Sequence, residues 1–221
     1  MSVLDVARGL PDIGVLREHC RSMAVVEAVL RPGWGDRYHS FHDRWSATES
    51  VASMRNGSGD EYSIVFSGAG AYVRGFAHES PMSPYVEDGP WPGVLDDVPD
   101  VFRRYVEEPA FSDEDGMPVV TACLWRETGD NCWRAGVIDF PDEASGDPDG
   151  AWGLFQLLVD RSPDAFQRWA EDYYQVPVDL DAVRRVFSSR PLTDAVVQAL
   201  NSDIVLTDLA NDLAAIGYPV G

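Results

Sequence analysis

Residues 61–78 read EYSIVFSGAGAYVRGFAH, and this stretch decides the fold. Its first six residues alternate, with Tyr62, Ile64 and Phe66 on one side. SGAG supplies a turn, and AYVRGFAH alternates again. The pattern is that of an antiparallel hairpin. Setting Phe66 across from Ala71 places Ile64 against Val73 and Tyr62 against Gly75, which makes one apolar face for a core. The opposite face then carries Glu61, Ser63, Tyr72, Arg74 and His78.

The residues just before the hairpin, NGSGD (56–60), follow another strand-like segment, ESVASM (49–54). A phosphate-binding loop needs glycines that lead from a strand into a helix N-terminus. Here they lead into a strand, and Asp60 and Glu61 follow them. The segment therefore reads as a connection between antiparallel strands.

Working outward, Leu16, Cys20, Met23, Val26 and Leu30 recur at spacings of three and four, which predicts an amphipathic helix from Ile13 to Arg31 with His19 at its edge. DRYHSFHDRW (36–45) predicts a strand that sends His39 and His42 to opposite faces, so the two do not converge on a metal. VPDVFRRYVEEP (98–109) predicts a short helix with Val98, Val101, Phe102 and Tyr105 on one face. A second hairpin is expected from VVTACLWRE (119–127), TGDN and CWRAGVIDF (132–140). Its simplest register sets Arg126 against Trp133 and Trp125 against Arg134, two arginine–indole contacts. Beyond PDEASGDPDG (141–150), SPDAFQRWAEDYY (162–174) predicts a Ser-capped helix with Phe166, Trp169, Ala170 and Tyr173 on one stripe. DLDAVRRVF, TDAVVQAL and a helix opened by Thr207 and stopped at Gly217 follow. The expected fold is α+β: a largely antiparallel sheet of hairpins with an N-terminal helix and a C-terminal helical segment. Residues 1–150 form the sheet-containing part and 151–221 the helical segment packed on it, within one structural domain.

Charge limits the partners. The 221 residues include 37 acids against 17 cations, all of them arginine, for a formal net charge of −20. Such a field repels nucleic acid and anionic membrane surfaces and favours a basic protein partner. No apolar run approaches bilayer length and no signal peptide is evident, so a cytoplasmic location is expected. Cys20, Cys123 and Cys132 lack zinc-site spacing and read as reduced thiols. The acidic stretches at 113–116 and 147–150 fail the calcium-loop pattern: Phe111 falls at the first ligand position of the one, and Gln156 stands where the other requires a bidentate glutamate. No metal and no cofactor is expected.

Several blocks, among them MRNGSGDEYSIVF, GFAHESPMSPY, PWPGVLDDVP, EEPAFS and LNSDIVLTDLANDLAAIGYP, resemble a family of uncharacterised bacterial proteins of similar length, over about Val25 to Pro219. VPDVFRRYVEEPAF is similar to the opening helix of SUKH-type immunity proteins, a resemblance that implies neutralisation of a bacterial toxin. The leading expectation is a non-enzymatic acidic binding protein, specifically an immunity protein that covers a cationic toxin such as a nuclease. Its partner-binding candidates are Glu87, Asp88, Trp91, Asp96, Asp97, Glu107 and Glu108. The alternative is a small-molecule enzyme using His78 as general acid or base with Glu61, Glu79 and Arg74 nearby. A structural or scaffold subunit is the third.

Overall fold

A computed structural model describes residues 1–86, 88–141 and 146–221. The fold is α+β, with an antiparallel sheet of five strands in the order β1-β2-β3-β4-β5. The strands are β1 (His39–His42), β2 (Ser50–Arg55), β3 (Glu61–Ser67), β4 (Gly70–Phe76) and β5 (Ala122–Glu127). The chain packs as two compact units, residues 1–13 with 55–159 and residues 14–54 with 160–221. Neither is continuous in sequence, unlike the parts 1–150 and 151–221 that composition marks off.

In the first unit, β3 and β4 pair in the register read from the sequence: Phe66 opposite Ala71, Ile64 opposite Val73, Tyr62 opposite Gly75. Gly70 sits at φ +140° directly beside the backbone of Arg126 on β5, a position with no room for a side chain. The apolar face meets α4 (Ala151–Val159), where Phe155 stands 5.6 Å from the Tyr62 ring. A short helix, α1 (Val3–Gly9), packs against α4 in turn. The Asp149 carboxylate accepts the backbone N–H of Val3 at 2.8 Å and that of Ala151 at 3.1 Å, joining the starts of the two helices. Burial pushes this carboxyl up to about 6.

The face expected to be polar is also covered. Tyr72 packs on Phe102 and Tyr105, and Arg74 is only 3% exposed, with its guanidinium 4.7 Å from the Phe111 ring centroid and donating to the Val119 carbonyl at 2.7 Å. Strand β4 is thus covered on both faces, which explains why each of its residues is buried. The helix expected at 98–109 is a 3₁₀ turn, Asp100–Phe102, followed by α3 (Arg103–Val106); Val101 points to solvent and leaves the expected stripe. The second hairpin is reduced to one bridge, Trp125 with Arg134, in the expected register. Arg126 there goes to Asp12 and Trp133 donates to the Pro11 carbonyl, so that pair does not stack.

In the second unit, α2 (Ile13–Leu30) is amphipathic only in its first half; from Ser22 to Leu30 every residue is buried, Glu27 included. Glu27 survives there because three donors meet it: His39 Nδ1 at 2.9 Å, the Tyr38 backbone N–H at 3.2 Å, and the Tyr174 hydroxyl. Strands β1 and β2 pair from His39 opposite Met54 to His42 opposite Val51, and His39 faces inward while His42 is exposed. The helices α5 (Pro163–Tyr174), α6 (Leu180–Phe187), α7 (Asp194–Leu200) and α8 (Ala210–Ile216) follow, and Ser162 caps α5 through the Ala165 N–H as expected. Phe166 and Ala170 are buried, whereas Tyr173 is exposed. Thr207 is not the cap of α8: it lies within a 3₁₀ turn, Leu206–Leu209, opened by Asp208 accepting the Val205 N–H at 2.9 Å. Among the described residues, no helix is long and apolar enough to cross a membrane.

Candidate functional site

Among the described residues, the loops of the first unit between Ser80 and Asp100 contain no regular element, yet their own acids tie them down. Asp96 accepts the Gly93 N–H at 2.9 Å, and Asp97 accepts the Val137 N–H at 3.1 Å from the chain segment that follows β5. Trp91 donates its indole N–H to the Asp139 carbonyl at 2.9 Å, which pins the ring to that segment. Gly93 and Gly136 let the two backbones touch; a side chain at either would strike the other segment's carbonyl. Arg103 of α3 donates to the Asp96 carbonyl at 2.8 Å, and Glu108 accepts the Ala110 N–H at 3.3 Å.

Large apolar side chains stand in solvent on these loops. Val137 is 87% exposed, Val86 64% and Tyr85 59%, with the Tyr85 ring braced edge-on against Phe76 at 5.8 Å. Asp88, with φ of 54°, Asp96, Asp97 and Glu107 are all exposed. Glu87 lies outside the described residues. Of the partner-binding candidates, the structure draws Trp91, Asp96 and Asp97 together around Val137 and Asp139. Val137 itself is a residue that sequence reasoning missed, because the segment around it reads as a strand arm.

The constellation expected around His78 separates into two pairs. Arg74 bonds Glu61 at 2.5 Å. His78 lies beyond the end of β4, where the chain turns, and both its Nδ1 and its backbone N–H reach the same Asp60 oxygen, at 2.7 and 2.9 Å. Glu79 is 3.9 Å from Nε2 and largely exposed. The hydrogen bond to Asp60 raises the His78 pKa above its ordinary value. Partial burial pushes the Asp60 carboxyl up, but the hydrogen bonds from His78 and Asn56 outweigh that and hold it below the ordinary value. Asp60, not Glu61 or Arg74, is therefore the partner of this histidine.

Cys20 and Cys123 are buried free thiols, and burial pushes Cys123 up to about 12, so it is a poor nucleophile; Cys132 is free and exposed. No three or more His, Cys, Asp or Glu residues form a metal-holding group among the described residues. No protein-family model matches the chain, and neither a curated protein nor a solved structure does.

Proposed function

We propose that this chain is a non-enzymatic binding protein whose acidic loop surface docks a basic protein. The observation that carries the reading is the exposed Val137 set beside Asp97, on loops that internal hydrogen bonds hold in shape before any partner arrives. Apolar anchors within a preformed frame give contact area at little ordering cost, and the surrounding carboxylates steer a cationic partner and reject an anionic one. The narrower form of the proposal is an immunity protein that covers a cationic toxin such as a nuclease. It is supported by the likeness of residues 98–111 to SUKH-type proteins together with the charge of −20.

The test is capture from a lysate of the source cell at low and high salt, using the wild-type chain beside V137S and E107K. Neither replaced side chain is buried. A basic protein held at low salt, released by high salt and lost with the variants supports the reading. Retention that is insensitive to salt and to both substitutions rules it out.

The Asp60–His78 pair favours a second reading, a small-molecule enzyme with His78 as general acid or base, since a histidine oriented by a carboxylate is suited to proton transfer. In that case H78A abolishes turnover of the substrate, and undiminished turnover removes His78 from the mechanism.

A further inference from the structure

The connection between β2 and β3, NGSGD (56–60), is folded around one side chain. Asn56 Oδ1 accepts the Ser58 N–H at 2.8 Å and the Asp60 N–H at 3.1 Å, and its Nδ2 donates to Asp60 Oδ2 at 2.8 Å. The bond to Ser58 closes a ring that contains both the amide carbon of Asn56, Cγ, and the backbone nitrogen of Gly57, so the two are held close to each other. That nitrogen's N–H meets no acceptor among the described residues, and Gly57 is exposed. Gly57 stands at φ +75° with nothing within 4 Å of where a Cβ would be, which leaves open space for a ring to form.

These are the parts of an intramolecular acyl transfer. The Gly57 nitrogen gives its proton to solvent and bonds to Asn56 Cγ. The Cγ–Nδ2 bond breaks, and Nδ2 takes a proton from solvent and leaves as ammonia. One water then opens the resulting succinimide, at Cγ to give aspartate or at the backbone carbonyl to give isoaspartate. The net change is one water consumed and one ammonia released, with no oxidant or reductant. Negative charge gathers on Oδ1 as Cγ becomes tetrahedral, and the two N–H donors already aimed at Oδ1 bind an oxyanion about twice as strongly as a neutral carbonyl. The folded turn also sets the reacting atoms in place before the reaction begins.

We propose that Asn56–Gly57 is a self-modifying site, whose conversion to aspartate or isoaspartate puts a carboxylate beside the Asp60–His78 pair. The product loses the Nδ2 donor to Asp60 and sets a second negative charge against it. The proposal is independent of the acidic loop surface and does not require His78 to be catalytic.

The experiment follows the whole chain by peptide mapping with mass spectrometry during incubation in mildly alkaline buffer, with and without guanidinium chloride at an unfolding concentration. Asn56 should lose ammonia about tenfold faster in the folded chain than in the unfolded one. Asn131, Asn201 and Asn211, none of them followed by glycine, should remain amides over the same time. G57A, whose methyl crowds the attacking nitrogen, should suppress the conversion in the folded and the unfolded chain alike. N56D, which keeps the acceptor for the Ser58 and Asp60 N–H groups, should raise the His78 ring pKa above the wild-type value in a proton–carbon titration. Conversion no faster in the folded than in the unfolded chain overturns the self-modifying site, as does conversion undiminished in G57A. A His78 ring that titrates alike in N56D and the wild type overturns its link to the pair.

Discussion

One Asp60 oxygen accepts two bonds from His78, and this pair makes the first unit's clearest pH-sensitive contact. The folded pKa of His78 is raised, so its contribution is complete below the ordinary histidine value of 6.5 and disappears as pH climbs through the folded value. Asp60 is lowered, so its share is present above the ordinary 3.8 and is lost as pH falls through the folded value. The pair is therefore fully formed in mildly acidic solution. A proton–carbon titration of the His78 ring should give a pKa above 6.5, and D60N should return it to the ordinary range. An unchanged value in D60N would remove the hydrogen bond as the cause. Strand alternation put His78 on the Arg74 face, but alternation ends with β4 at Phe76. The usable signal was the five-residue connection 56–60: closed by the Asn56 N–H on the Asp60 carbonyl at 3.2 Å, it sets Asp60 at the start of β3, beside the end of β4.

Among the elements, the β3–β4 hairpin was legible residue by residue because one buried face imposes a period of two and a short glycine turn fixes the register. The helices α1 and α4 were not. The first has only seven residues, too few to display a stripe, and AWGLFQLLV is apolar nearly all round, so it shows no helical period. The expected arm at 132–140 failed for a different reason. After Arg134 the segment engages the 91–97 loop in place of β5, through the Val137 N–H and the Asp139 carbonyl. The face of β4 against α4 also gives a direct test. A Cβ at Gly75 would lie 2.6 Å from Phe155 Cζ and 2.8 Å from Leu154 Cδ1, whereas one at Gly68 in the turn meets nothing within 4 Å. G75V should therefore lower stability by about 1–3 kcal/mol in urea unfolding. G68A should stay within about 0.5 kcal/mol of the wild type. Equal midpoints for the two variants would mean that α4 does not seat on β4 at that point.

For the molecule as a whole, the charge of −20 acts in opposite directions on folding and on docking. Folding brings 37 carboxylates closer together, and their mutual repulsion favours the expanded chain; salt relieves it once the Debye length shrinks to about 10 Å near 0.1 M. The attractive pairs lose less. Arg37 with Asp212 at 2.6 Å and Arg74 with Glu61 at 2.5 Å keep their guanidinium groups buried, while the exposed Arg184 pairs were worth little from the start. The melting temperature should therefore rise when sodium chloride is raised from millimolar to about 0.5 M, because screening at that strength reaches only exposed charges. Calorimetry at fixed pH decides it, and a falling melting temperature would mean that ion pairs outweigh self-repulsion. Association with a basic partner should respond with the reverse sign, slowing and weakening over the same salt range. Loss of binding while the melting temperature rises separates partner release from unfolding, which is the outcome the proposed acidic docking surface requires.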